Sequence, residues 1–381
     1  MTKPEAIVLG TIDRTSPSMW ADMRLCGLRS LLASAPRAQD WVLHDPRAWL
    51  GTAFHRVMSA ARIPGALNSL ESVWKKTVDE LATQAAHHPL DRRFTSPEKW
   101  PSYFIVKQRA LALAAANSPP ASVVTSQARA VTLPSQRGSE RRFEARAGKL
   151  VGRPDYFDGI TITEYKSSLP NREWRIAPII IEGFQRQLRL YAAIIGETTG
   201  NYPDAARVVA ASGETLAVPI ERTACTQEAD AAMSAMDSLN SLVAANTPVD
   251  QLAVVSPESC SRCFYKLICD AFWQSLPVSS TTSDGTFVGF VKSVESGADG
   301  DLYSVDLDVK ASNQKIAPKQ RIVLRKSIHG DLNASAGDEC RVIDGRVGAD
   351  GRIRADISTV VSKTAGLPLV VTGARGTALT R

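Results

Sequence analysis

Two β-prone runs joined by Asp158-Gly159 constrain this chain more than any other stretch of it. The segment reads Lys149-Leu-Val-Gly-Arg-Pro-Asp155-Tyr-Phe, then Asp158-Gly159, then Ile160-Thr-Ile-Thr-Glu164-Tyr-Lys166-Ser-Ser. Asp-Gly between such runs predicts a hairpin with a two-residue primed turn, which needs positive φ at both central residues. Side chains alternate faces along a strand, so Glu164 and Lys166 point the same way. Asp155 stands three residues before the turn on the partner strand, within reach of that face. Two carboxylates and an amine at one spot suit a hard divalent ion and a hydrolytic water, with acid oxygens as ligands and a cation beside them. Read alone, the segment is equally a solvated hairpin with an ordinary Glu–Lys pair. Pro154 removes a ladder hydrogen bond, so its strand is expected at an edge or locally bent.

At 381 residues the chain is long enough for two domains and a small third element. A hydrophobic content of 44% with 22% charged residues predicts an ordinary globular core. The formal charge of +6 is compatible with a polyanionic partner without requiring one. No apolar run approaches the roughly 20 residues of a membrane helix, and no charged-then-apolar leader opens the chain. A cytoplasmic protein is expected. The phosphate-cradling pattern Gly-x-x-x-x-Gly-Lys-Ser/Thr is absent, so no motor of that type is encoded.

Along the chain, Trp20 to Leu32 reads as helical, and Gly51 to Met58 opens a helix with His55 one turn in. Ser69 to His88 and Tyr103 to Ala116 read as amphipathic helices, with Val73, Trp74, Val78 and Leu81 on one stripe. The Ser/Pro/Ala-rich stretch from Asn117 to Gly138 predicts a loop before the hairpin. A helix from about Ile181 to Glu197, strands at Ala206–Ala211 and Thr215–Ile220, and a helix from Glu228 to Asn246 follow. The composition then changes to a linker, 276–285. Beyond it, five short β-like runs predict a small barrel of oligonucleotide-binding type over 286–361, then a loose tail, 362–381.

Six cysteines in such a chain point to metal or free thiols rather than disulfides. Cys260, Cys263 and Cys269 give C-x2-C-x5-C, and Cys26 stands far upstream. Four thiolates suit zinc or an iron–sulfur cluster, and the uneven spacing with one remote ligand favours the cluster over a compact zinc ribbon. Reduced cysteines packed as small hydrophobes are the plain alternative. Cys225 and Cys340 fit no spacing and are expected in the core.

Taken together, Gly51-x-x-x-His55, Gly152-Arg-Pro-Asp155, Glu164-x-Lys166 and Gln187-x-x-x-Tyr191, flanked by Cys26 and the cysteine triplet, resemble the PD-(D/E)XK nucleases. More narrowly, they resemble the RecB-type branch that carries an iron–sulfur cluster, which includes the nuclease half of AddB and the RecB-like exonucleases of CRISPR systems. The resemblance spans roughly residues 20 to 275 and implies an α/β fold, a restriction-endonuclease-like mixed sheet flanked by helices. It implies a nuclease domain over 1–275 with an iron–sulfur clasp and a helical insert at about 56–135. By the same resemblance His55, Asp155, Glu164 and the Tyr165 carbonyl would hold Mg2+ or Mn2+. Lys166 would position or activate the attacking water. Gln187 and Tyr191 would support the lysine and contact DNA, and Cys26, Cys260, Cys263 and Cys269 would hold a structural 4Fe-4S cluster.

The implied activity is metal-dependent hydrolysis of DNA, single-stranded or at ends, exonucleolytic, in repair and recombination or in anti-phage defence. With no motor in the chain, a helicase or another complex subunit is the expected partner. A catalytically silent nucleic-acid-binding scaffold is the alternative, and a zinc-stabilised RNA-binding protein a third reading. The barrel is weakly basic, with 14 Lys and Arg against 11 Asp and Glu over 285–381. Its aromatics are only Phe287, Phe290 and Tyr303, few for stacking bases, so a protein-docking module is an equal reading. Arg321, Arg325 and Lys326 are its candidate phosphate contacts.

Overall fold

The computed structural model describes residues 6–118, 138–167, 178–276, 285–363 and 369–372. Strand β1 (Ile7–Leu9) leads into helices α1 (Pro17–Leu25) and α2 (Gly27–Ser34). The sequence suggests one helix here. Instead the chain breaks at Cys26, which is extended at φ −165° and ψ 118°, so the sulfur sits at a corner between two helices.

Helix α3 (Pro46–Ala60) begins five residues before the expected Gly51, because Asp45 caps it through Arg47 N and Pro46 occupies the first turn. His55 therefore lies in mid-helix. Helices α4 (Leu70–His87) and α5 (Tyr103–Asn117) pack on α3 around Phe54, Val57, Trp74, Val78 and Trp100. Residues 119–137, most of the anticipated loop, lie outside the described residues.

The central sheet is assembled from β2 (Gly138–Ser139), β5 (Tyr156–Phe157), β6 (Thr161–Lys166), β7 (Ala205–Ala210) and β8 (Thr215–Val218), in that order. Between β2 and β5, strands β3 (Phe143–Ala145) and β4 (Leu150–Gly152) form a small sheet of their own. Only β6 and β7 run parallel, and their crossover contains α6 (Pro178–Thr199). Helix α7 (Arg222–Ala244), which starts six residues before the expected Glu228, packs against α6 over the same sheet face. Leu188, Ala192 and Ile195 meet Ile162, Val208 and Ala229 in that layer. The result is a mixed sheet flanked by helices.

Three short helical turns, α8 (Val249–Leu252), α9 (Pro257–Cys260) and α10 (Asp270–Gln274), carry the cysteine triplet past α2. Beyond them, β9 (Gly285–Ser296), β10 (Leu302–Ser312), β11 (Lys319–Arg325), β12 (Glu339–Val347), β13 (Ile353–Arg354) and β14 (Val360–Lys363) make an antiparallel sheet. A one-turn helix, α11 (Lys326–His329), follows β11. The sheet nearly closes: Gln320 on β11 accepts from Ile353 N at 2.9 Å and donates to Gly351 O at 3.0 Å, stitching one edge to the other. Phe287, Val291, Val305, Ile322 and Val342 fill its interior. The sixth strand, β14, is absent from the sequence reading.

The tail assignment needs correction as well. Residues 369–371 form β15 (Leu369–Val371), parallel to β1, so this part of 362–381 is tied to the amino terminus. The barrel rests on the cysteine segment through Arg341, which donates to Leu267 O and Asp270 and lies over the Trp273 ring.

Candidate active site

The run from Lys149 to Phe157 is not one strand. Arg153-Pro154-Asp155 interrupts it between β4 and β5, as a proline without a donor predicts, and the bend swings Asp155 toward β6. The turn also differs from expectation. Pairing of Tyr156 with Thr163 and Phe157 with Ile162 centres it on Gly159-Ile160, and of Asp158 and Gly159 only Gly159 has positive φ, at 99°. Asp158 closes the turn with its side chain, accepting from Ile160 N at 2.9 Å and Thr161 N at 2.6 Å. This moves the register by two residues, an even number, so every side chain keeps its face.

His55 reaches the bend from α3. Its Nδ1 lies 2.8 Å from Asp155 Oδ1, while Asp155 Oδ2 accepts from Tyr165 N at 2.7 Å. A strand residue's N–H and C=O share one side, so the Tyr165 carbonyl faces Asp155 too. Glu164 is 4% exposed. Its Oε1 accepts from Lys166 Nζ and from Gln187 Nε2, each at 2.8 Å. Its Oε2 is buried with no hydrogen-bond partner. Lys166 Nζ also donates to Gln187 Oε1 at 3.3 Å and stands 5.4 Å above the Phe184 ring.

Burial raises the Glu164 pKa; the Lys166 ammonium works against the rise and the Asp155 charge adds to it. At His55 burial disfavours the charged ring, but the hydrogen bond and charge of Asp155 outweigh it and the pKa is raised. These acids thus crowd negative charge where one carboxylate oxygen has no donor. A cation of small radius fits that donor set, and His55, Asp155, Glu164 and the Tyr165 carbonyl are the groups that could hold one.

Tyr191 borders this group, with its hydroxyl hydrogen-bonded to the Gln187 side chain and within reach of the Glu164 and Asp155 charges. It is buried, its hydroxyl donates to Arg153 O at 3.3 Å, and its ring lies where a Cβ on Gly152 would come within 3.0 Å. It also packs behind the bend, between α6 and β4. Arg153 was not singled out from sequence; it is exposed beside Asp155. Arg321, Arg325 and Lys326 are all paired with acids, Arg321 with Glu295 and Asp306, Arg325 with Asp301 and Lys326 with Asp331. These are exposed ion pairs, which contribute little in water.

Cys26 lies within electrostatic reach of Cys260, Cys263 and Cys269, 228 residues from its hydrogen-bond donor Val254 N. Burial pushes Cys263 up to about 11 and Cys269 up to about 12, so these thiols stay neutral unless a metal offsets the charge. Cys225 and Cys340 are fully buried in separate cores. A further cluster joins His44, His88 and Asp91; His88 and Asp91 are three residues apart, but that pair alone is no metal signature and His44 lies 44 residues upstream of His88.

Residues 14–270 match the sequence profile of the PD-(D/E)XK nuclease superfamily, and the chain belongs to that superfamily. Its nucleases use divalent metal ions. No curated protein matches the chain. Among the described residues no helix is long and apolar enough to cross a membrane.

Proposed function

We propose that this protein is a magnesium- or manganese-dependent deoxyribonuclease centred on His55, Asp155, Glu164, the Tyr165 carbonyl and Lys166. The observation that carries the reading is Glu164: Lys166 and Gln187 share one of its carboxylate oxygens, and the other is buried without a partner. A buried carboxylate oxygen is costly unless a cation meets it. A divalent ion bound there would polarise the scissile phosphate and offset the charge gathered in the transition state. His55 and Tyr165 N hold the two Asp155 oxygens in place. Glu164 and Gln187 hold the Lys166 ammonium, which positions the attacking water. Tyr191 fixes the bend from behind.

The same reading places a 4Fe-4S cluster on Cys26, Cys260, Cys263 and Cys269. The four thiols lie within electrostatic reach of one another, and the uneven spacing with one remote ligand supports a cluster over a compact zinc ribbon. The cluster would clasp the α1–α2 corner to the segment after α7, restricting a very long loop of the unfolded chain. Preference for single strands or ends, exonucleolytic action, a helicase partner and a role in repair or anti-phage defence rest on the resemblance to the RecB-type branch. The intact Asp155, Glu164 and Lys166 set supports an enzyme over a silent scaffold.

The test is cleavage of end-labelled single- and double-stranded DNA with manganese, by anaerobically purified wild type and Lys166→Ala. Cleavage by the wild type alone is expected. Equal cleavage by both would remove the active site from the hairpin, and DNA binding without cleavage by either would favour the scaffold.

A further inference from the structure

Outside the hairpin, three potential ligands converge where α3 begins and α4 ends. His44 Nδ1 lies 2.6 Å and His88 Nδ1 2.7 Å from the same oxygen of Asp91, Oδ2. Asp91 is fully buried, and its other oxygen, Oδ1, has no hydrogen-bond partner. Arg93 adds positive charge nearby, but its guanidinium donates to Leu90 O and lies over the Phe94 ring instead of bonding Asp91.

Nε2 of His88 faces the Gln39 carbonyl at 3.0 Å and must donate there, which leaves Nδ1 for Asp91. Nδ1 lies 2.7 Å from Asp91 Oδ2 and 3.3 Å from Leu90 N, and the contact with the carboxylate needs a proton or a metal ion between the two atoms. A histidine whose outer nitrogen donates to a backbone carbonyl is also the usual support of a metal-ligating imidazole.

We propose that His44, His88 and Asp91 bind a divalent transition-metal ion, zinc being the best chemical match. Two imidazoles and a carboxylate are a borderline donor set suited to zinc, and its ligand distances of about 2.0–2.2 Å require the three atoms to part only slightly. His44 can supply that movement, since its side chain is 35% exposed, and the same opening leaves the fourth position to water. The ion would staple the residue before the α3 cap to the carboxyl end of α4. It would thereby fix the helix that carries His55 without touching the hairpin.

The experiment is zinc chloride titration of chelator-treated full-length protein, followed by elemental analysis and thermal melting, for wild type, His44→Gln and His88→Gln. Both variants are expected to bind one equivalent fewer, with affinity at that site reduced at least about a hundredfold. The zinc-dependent rise in melting temperature should vanish with it, while iron content stays unchanged. Equal zinc uptake and equal melting shifts in all three proteins would overturn the proposal and leave shared protons as the cation. Should His88→Gln fail to fold, His44→Gln, at a partly exposed position, decides the matter alone.

Discussion

Asp155 Oδ1 and His55 Nδ1 meet at 2.8 Å across 100 residues of sequence, joining a proline bend to the middle of a helix. Neither residue can reach the other unless α3 packs against the end of β6. Gly51 lies at that approach, where a Cβ would come within 3.3 Å of Ser167 Oγ. The contact and Tyr165 N orient one acid of the hairpin, and the Lys166–Gln187 pair orients the other.

Replacing either acid should separate chemistry from folding. Asp155→Asn keeps the shape of the side chain but weakens a ligand and the His55 contact. DNA cleavage with manganese is expected to fall by at least about a hundredfold, with the iron content of the protein retained. Loss of iron in this variant would instead indicate a structural collapse.

Glu164 and His55 give a stability trend with a definite sign. Glu164 is raised above its ordinary 4.5 by burial, with the Lys166 ammonium as the opposing influence, and His55 is raised above 6.5 by Asp155 against its own burial. Each favours its protonated form in the folded state. Its contribution is present below 4.5 for Glu164 and below 6.5 for His55, and is lost as pH climbs through the raised folded value. Metal-free wild type should therefore lose stability relative to Glu164→Gln as pH rises above about 4.5, and added magnesium should reverse the loss. Parallel melting curves at every pH would contradict the argument.

The clasp predicts a different phenotype. Cys263→Ala is expected to lower the melting temperature by about 5 °C or more, equivalent to about 2 kcal/mol in a domain of this size, and to release iron. Cys225→Ala, which alters a core far from the other sulfurs, should retain full iron content. An unchanged melting temperature in Cys263→Ala would dismiss the clasp.

Arg341 links the barrel to the segment after Cys269. It is 7% exposed and bonded to Leu267 O and Asp270. Arg341→Met should cost about 1–3 kcal/mol in chemical denaturation, because the Leu267 carbonyl loses its donor. Faster loss of iron under oxygen would show that barrel docking protects the cysteine segment.

Gly152→Ala probes the packing behind the site. Its new methyl would meet the Tyr191 ring at 3.0 Å and Ile194 Cδ1 at 3.1 Å, forcing α6 away from β4. Since α6 carries Gln187, cleavage should drop along with about 1–3 kcal/mol of stability. Unchanged kinetics would mean that the tyrosine does not position the bend.

Local pattern was enough to place Glu164 and Lys166 on one face, to make Pro154 a break, and to put the helices at Leu70–His87 and Tyr103–Asn117 within a residue or so. Those features depend on period, turn chemistry and missing donors, which neighbouring residues carry. The start of α3 is set by the Asp45-Pro46 cap rather than by Gly51, and the break between α1 and α2 is marked in the sequence only by Gly27, a weak signal on its own. The pairing of β15 with β1, the closure of the barrel by Gln320, the unpaired oxygen of Glu164 and the His44–His88–Asp91 cluster have no local signature. Each depends on groups that elements distant in the chain bring up or leave away, and only the packing of whole elements sets those distances. The sequence by itself determined which chemical groups this protein can bring to bear; the tertiary structure decided which of them meet, because hydrogen bonds and charges act over a few ångströms while sequence order does not measure distance in space.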